Sequence, residues 1–444
     1  MKKILGLLLA LALVITISGC TQKDAYADLE VLDELPTEQI EISFWHAMGD
    51  ENMLVLDELI KEFNKTYPNI TVTHTAQGGY TDVRDNTLKA ITAGTEPTML
   101  IGYPDHIAKY LTASAVLPLD AFMNHKTWGY SEEEVQDFIP SYLNEGKIYD
   151  SEGTYYAIPF NKSTEVMFYN ADVIQNVPTT WADVEAIDRG ESEFVMGYDS
   201  SSNLFITMAE QWGAGYTGIN VETGKGEYLF NNAEVLDGLT YFQELYDNKI
   251  LATPTEWDEN YGSALFANGT ILLTVGSSAG AKYNMTKDFT VGVARIPQKD
   301  DANPRVIQQG TNISIMSNAT NEERLAAWLF TKFLTDTEAN TQFAIGSGYL
   351  PVRESAFQSA DYQKYLAKAD LAIDENVSDA QAKEIMMAKA AKVGYNQKAA
   401  YFTSPAFNGS SKARDEVGNV IDQMFYQGKG IQEAIDAAIE ELNW

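Results

Sequence analysis

Ile40-Glu41-Ile42-Ser43-Phe44-Trp45, Met53 to Tyr67, Ile70-Thr71-Val72-Thr73-His74-Thr75, Thr81 to Thr92 and Thr98-Met99-Leu100-Ile101 are the consecutive segments on which the fold turns. The first alternates apolar and polar residues with period two, which lays one row of side chains against a core and predicts a strand. Met53 to Tyr67 sets Leu56, Ile60 and Phe63 on one helical face, and Pro68-Asn69 ends the helix. Ile70 to Thr75 predicts a second strand, Thr81 to Thr92 a second helix, and Thr98 to Ile101 a third strand. This order predicts a parallel sheet covered by helices, an α/β fold.

Further along the chain the rhythm loosens. Tyr155 to Phe160 and Glu165 to Tyr169 predict two extended segments, and a helix is expected from Thr180-Trp181-Ala182-Asp183. Helices are also predicted over Ala233 to Asp247, Arg324 to Leu334 and Ile431 to Leu442, with a strand over Ile271 to Val275.

The N-terminus carries a different signal. Met1-Lys2-Lys3 precedes an apolar run from Ile4 to Ile17 that is too short to anchor as a span, and Ser18-Gly19-Cys20 follows. Cys20 is the single cysteine, so it forms no internal disulfide. Ile17-Ser18-Gly19-Cys20 resembles the lipobox of bacterial lipoproteins, which implies removal of residues 1–19, acylation of Cys20 and an extracytoplasmic, membrane-tethered protein. Residues 20–39, polar and acidic, are expected to be the tether, although Leu29-Glu30-Val31-Leu32 has the character to dock locally.

Formal charge is −32 and becomes −34 once Lys2 and Lys3 are removed. With no basic footprint to meet phosphates, nucleic-acid binding is disfavoured. Flat adhesion to anionic lipid is disfavoured for the same reason, leaving the acyl chains as the membrane contact. The 24 Tyr, 19 Phe and 7 Trp belong to a folded chain, and the length suits two domains.

Catalytic motifs are missing. His46, His74, His106 and His125 show no metal-ligand spacing, and there is no nucleophile elbow, P-loop or dinucleotide fingerprint. A binding protein without metal or cofactor is expected, rather than an enzyme. An exported glycoside hydrolase would need two carboxyl groups about 5–9 Å apart, and no pair is nominated.

The candidate site lies at element ends. Phe44-Trp45-His46 closes the first strand, Gly78-Gly79-Tyr80 follows the second, and Gly102-Tyr103-Pro104-Asp105 follows the third. In open α/β sheets the crevice beyond the carboxyl ends of the strands holds the ligand. Trp45 and His46 are therefore candidates to face a solute, although Trp45 also suits a core and Asp105 also suits the cap of a helix over Ile107 to Leu111.

Ile158-Pro159-Phe160-Asn161-Lys162-Ser163-Thr164, Phe168-Tyr169-Asn170, Phe266-Ala267-Asn268-Gly269-Thr270, Gly348-Tyr349-Leu350-Pro351-Val352-Arg353 and Phe407-Asn408-Gly409-Ser410-Ser411 resemble the extracellular solute-binding proteins of ABC importers, in the carbohydrate-binding class. The resemblance implies a two-lobe periplasmic-binding-protein fold with hinge crossovers and a ligand cleft. One lobe would hold 40–162 and 313–346, the other 163–312 and 347–444. It further implies a monomer that gives a small solute, a sugar or short oligosaccharide, to the transmembrane subunits of an ABC permease.

Within the family the chain resembles the glycerol-3-phosphate-binding subgroup. That likeness implies Tyr80, Asp105, Ser163, Ser277, Gly310, Tyr349 and Arg414 as ligand residues, and glycerol-3-phosphate or another polyol phosphate as the alternative solute. Three positions depart: Asp105 stands where the subgroup has Glu, and Ser202 and Phe205 stand where it has a pair of tryptophans. Arg414 lies near the start of a helix expected to be capped by Ser410 or Ser411. A cation there gains nothing from the helix dipole, so a ligand anion, a sugar hydroxyl or a neighbouring carboxylate must compensate it.

Overall fold

The computed structural model describes residue 26 and residues 29–220, 222–223 and 225–443. The signal segment and Cys20 lie outside the described residues. Twelve strands are present among them: β1 (Ile40–His46), β2 (Ile70–Ala76), β3 (Met99–Gly102), β4 (Ile158–Asn170), β5 (Phe194–Tyr198), β6 (Thr217–Ile219), β7 (Gly226–Tyr228), β8 (Leu251–Ala252), β9 (Ile271–Ser277), β10 (Val291–Ala294), β11 (Val306–Ile315) and β12 (Tyr401–Phe402). The main sheet runs β2-β1-β3-β11-β4-β9-β5-β8, with β10 on β4 and β12 on β11, while β6 and β7 form a separate hairpin.

In β1 the alternation buries Ile40, Ile42, Phe44 and His46 on one face. Phe44 joins Leu56, Leu59, Phe63 and Phe330 in the first-lobe core. β1 pairs in parallel with both β2 and β3, as the strand–helix rhythm predicts. The second lobe sets β9, β5 and β8 in parallel over a core that includes Met196, Phe205, Phe242 and Ile421. Helix ends follow local chemistry: Thr180 and Asn232 cap the helices Trp181–Glu185 and Ala233–Asp247 through their side chains.

The two extended segments expected at 155–160 and 165–169 meet in one strand, which begins at Ile158 and leaves residues 155–157 outside it. β4 pairs with β11 through Ile158 and Pro159 in the first lobe and with β9 through Glu165 to Tyr169 in the second. Its middle, Asn161 to Thr164, is polar yet buried, which in the sequence looks like a break. Three of its side chains find partners: Thr164 Oγ1 donates to Ile307 O at 2.9 Å, Lys162 Nζ pairs with Glu145, and Asn161 Oδ1 accepts from Thr311 Oγ1.

β11 crosses beside β4, with a register shift between Thr311 and Asn312. Gly310 has φ +94°, and a Cβ there would stand 2.1 Å from Asn161 O, so only glycine fits. A third passage follows Gly348 (φ +82°), where Leu350 N donates to Lys162 O at 2.7 Å. Val352 then returns to the first-lobe core, and Arg353 lies 3.8 Å over the Phe138 ring. These two residues, expected in the second lobe, pack on the first.

Part of the segment expected to be the tether docks on the first lobe. Leu29, Val31, Leu32 and Leu35 pack on the first-lobe core, Trp128 Nε1 donates to Leu32 O at 2.8 Å, and Asn69 Nδ2 donates to Pro36 O at 2.7 Å. The apolar side chains between the acids give this segment a face to bury.

Candidate functional site

The carboxyl ends of the strands in both lobes meet across a cleft. Tyr80 opens the helix Tyr80–Ala93 directly after β2 and the left-handed Gly78 (φ +101°). Tyr103 caps the helix Pro104–Leu111 after β3, and Asp105 occupies its first turn. The second lobe contributes Ser163 and Glu165 from β4, Asp199 immediately after β5, and Ser277 at the end of β9.

These elements enclose a chamber of about 620 Å³, within the range of roughly 300–1,000 Å³ typical of small-molecule sites. Tyr80, Ser163, Ser277 and Tyr349, which the family resemblance implies as ligand residues, line it. A smaller chamber of about 50 Å³ is lined by Asp105, Gly310 and Arg414, together with Glu145. Tyr103 and Gln309 border both.

Trp45 and His46 line neither chamber. Trp45 is half-buried and packs on the group formed by Leu100, Ile107 and Tyr110, on the opposite face of β1 from Phe44. His46 is fully buried, and both of its ring nitrogens are engaged. Met48 N donates to Nδ1 at 3.1 Å, and Nε2 lies 2.9 Å from His74 Nδ1. Burial foremost, aided by His74, depresses its pKa to about 4. His46 is thus a structural residue at the end of β1, a correction to its expected ligand role.

Arg414 also differs in its setting. The helix Ser410–Gln427 is preceded by left-handed Gly409 rather than capped by Ser410 or Ser411. Ser410 Oγ instead donates to Phe407 O at 2.8 Å, and Ser411 Oγ accepts from Arg84. Arg414 Nη2 donates to the side-chain carbonyl of Asn203, whose Nδ2 donates to Glu165 Oε1 at 2.7 Å. Tyr198 Oη donates to the other oxygen of Glu165. Among the described residues Arg414 makes no ion pair within 4.0 Å. Phe205, at one position of the subgroup's tryptophan pair, is buried in the second-lobe core.

Tyr80 Oη and Tyr349 Oη are 2.5 Å apart, and Tyr103 meets the Tyr80 ring edge-on with centroids separated by 4.9 Å. Burial raises the pKa of all three hydroxyls, keeping them neutral donors and acceptors. Burial raises Glu165 to about 7, against the opposing hydrogen bonds from Tyr198 and Asn203, and raises Asp199 to about 6. Lys282 borders the large chamber but pairs with Glu51 of the first lobe.

Tyr103, Glu145, Glu165, Asp199, Asn203 and Gln309 were not singled out from the sequence. Tyr103 stood within a quoted strand-end motif. Nothing local distinguishes Glu165 or Asp199 from the chain's many other carboxylates, since their burial is created by strands distant in sequence.

The family model described as bacterial extracellular solute-binding protein matches residues 58–370. The chain is 25% identical over 354 residues to the sn-glycerol-3-phosphate-binding periplasmic protein UgpB of Escherichia coli O1:K1, covering 74% of this chain and 79% of that one. Its fold is similar to that of UgpB from Mycobacterium tuberculosis in complex with glycerophosphocholine (TM-score 0.73, 19% identity, 91% of this chain and 97% of that chain). It is also similar to a Listeria monocytogenes ABC substrate-binding protein in complex with cycloalternan (0.72, 18%, 91% and 98%). A third similar structure is the maltose/maltodextrin-binding domain MalE of Bdellovibrio bacteriovorus bound to maltotriose (0.69, 19%, 91% and 99%). With two lobes around a polar cleft and a family match over most of its length, the chain belongs to the bacterial extracellular solute-binding proteins and is an extracytoplasmic solute receptor of the ABC-importer type.

Proposed function

We propose that the protein captures a neutral sugar or short oligosaccharide between its lobes and delivers it to the transmembrane subunits of an ABC permease. The observation that carries this reading is the charge of the large chamber. Glu165 and Asp199 line it without an ion-pair partner among the described residues, and its one bordering lysine is engaged with Glu51. Such a wall accepts hydrogen bonds from hydroxyls and opposes a phosphate. Tyr80, Tyr103 and Tyr349 supply ring faces and hydroxyls; Ser163, Ser277, Asp105, Gly310 and Arg414 supply the remaining polar surface. The solute would be held with the lobes hinged about β4, β11 and the passage at Gly348. Acylation at Cys20 would keep a monomeric receptor near its permease.

Glycerol-3-phosphate is the second reading, favoured by Arg414 at the small chamber and by the similarity to UgpB. Titration calorimetry with glucose, maltose, maltotriose, glycerol and glycerol-3-phosphate separates the two. A neutral saccharide is expected to bind while glycerol-3-phosphate shows little advantage over glycerol. Failure of every saccharide, or a preference of about 100-fold or more for glycerol-3-phosphate over glycerol, overturns the first reading.

A further inference from the structure

Asp199 occupies a prepared position. Its backbone N–H donates to Val275 O at 2.9 Å, fixing it beyond the carboxyl end of β5 and beside β9. Two glycines make room for its carboxylate. A Cβ on Gly276 would lie 2.5 Å from Oδ2, and one on Gly262 would lie 3.0 Å from Oδ1. Gly262 N donates to Oδ1 at 2.6 Å.

Oδ2 has no hydrogen-bond partner among the described residues, and no lysine, arginine or histidine forms an ion pair with the group. A carboxylate set in a protein wall is costly unless something satisfies it. Both oxygens of Glu165, also on this wall, already accept a hydrogen bond, from Tyr198 and from Asn203, whereas Asp199 Oδ2 accepts none.

We infer that Asp199 Oδ2 is a specificity-determining contact that accepts a hydrogen bond from a hydroxyl of a neutral sugar and, by its charge, excludes phosphorylated solutes. This rests on the reading of a neutral polyhydroxylated solute given above. The raised pKa of about 6 leaves the group mainly ionised at neutral pH, which makes it an acceptor. An ionised acceptor forms a stronger bond to a hydroxyl than an amide does, and repels a group made only of acceptors. Gly262 and Gly276 belong to the same device, because either side chain would displace the carboxylate.

The test compares wild type, Asp199→Asn and Gly276→Ala by calorimetry at pH 7.5, with glucose, maltose, maltotriose and glycerol-3-phosphate. Asp199→Asn should bind the neutral saccharide at least about 10-fold more weakly and glycerol-3-phosphate more tightly than wild type does. Gly276→Ala, which keeps the carboxylate but moves it, should lose saccharide affinity. Should Asp199→Asn fail to fold, Asp199→Ser carries the same expectation. A parallel loss for both solute types, or no change, overturns the role of Asp199 while leaving the sugar-binding reading intact. If wild type binds none of the saccharides, the sugar reading falls and this inference falls with it.

Discussion

Arg84 Nη1 donates to Ser411 Oγ across the cleft at 2.9 Å. Arg84 belongs to the helix Tyr80–Ala93 of the first lobe, and Ser411 to the first turn of the helix Ser410–Gln427 of the second. Asp415, one turn further on, lies 3.7 Å from the same Arg84 nitrogen. Together with Lys282 and Glu51, this contact bridges the lobes at two places.

Arg84→Ala should therefore shift the population toward an open form without removing any group that lines either chamber. A charged donor lost from a nearly buried site corresponds to about 1–2 kcal/mol, or roughly 5- to 30-fold in affinity. The loss should appear mainly as faster solute release in stopped-flow fluorescence, with the order of preference among solutes unchanged. An altered order of preference would instead place Arg84 in contact with solute.

His46 makes stability depend on acid in a defined direction. Its folded pKa of about 4 lies below the usual 6.5, so the neutral ring is the form the fold holds. That contribution is intact above pH 6.5 and is lost as pH falls from 6.5 through 4, by up to about 3 kcal/mol. His46→Phe should flatten this part of the urea-denaturation profile between pH 7.5 and 4. At pH 7.5 it should cost about 1–3 kcal/mol, because Met48 N and His74 Nδ1 lose their partner. An unchanged pH profile would show that His46 is not the group whose protonation destabilises the fold.

Lys162 and Glu145 form a buried ion pair beside the crossing strands. Gln308 Nε2 and Asn312 Nδ2 donate to the two Glu145 oxygens at 2.9 and 3.0 Å, so β11 is tied to the pair by its own side chains. Lys162→Met alone should destabilise the protein by about 3–5 kcal/mol, since it strands the carboxylate. Adding Glu145→Met should recover a large part of that loss in chemical denaturation. A double variant as unstable as the single one would show that the pair contributes more than the mutual cancellation of two buried charges.

The first lobe was legible because its signals are local. Alternation in β1, the apolar stripe of Leu56 and Phe63 and the stop at Pro68 lie within a few residues of what they specify. The strand ends named Tyr80 and Asp105 as rim residues for the same reason, and the family resemblance supplied Ser163, Ser277, Tyr349 and Arg414. Alternation also placed His46 on the buried row of β1, but only contact with His74 and Met48 distinguishes a core ring from one facing solute.

The amino-acid sequence by itself determined the α/β class and the strand-helix-strand-helix-strand order that opens the first lobe, because period-two and helical patterns need only neighbours along the chain. Only the tertiary structure decided that Asn161 to Thr164 is the middle of one strand, that Glu165 and Asp199 share a chamber, and that Leu29 to Leu35 dock on the first lobe. Each depends on partners far away in sequence: Thr164 bonds to Ile307, and the Asp199 carboxylate fits beside Gly262 and Gly276. Burial of a polar side chain is a property of the groups that surround it, and those groups are brought together only when the sheet is assembled.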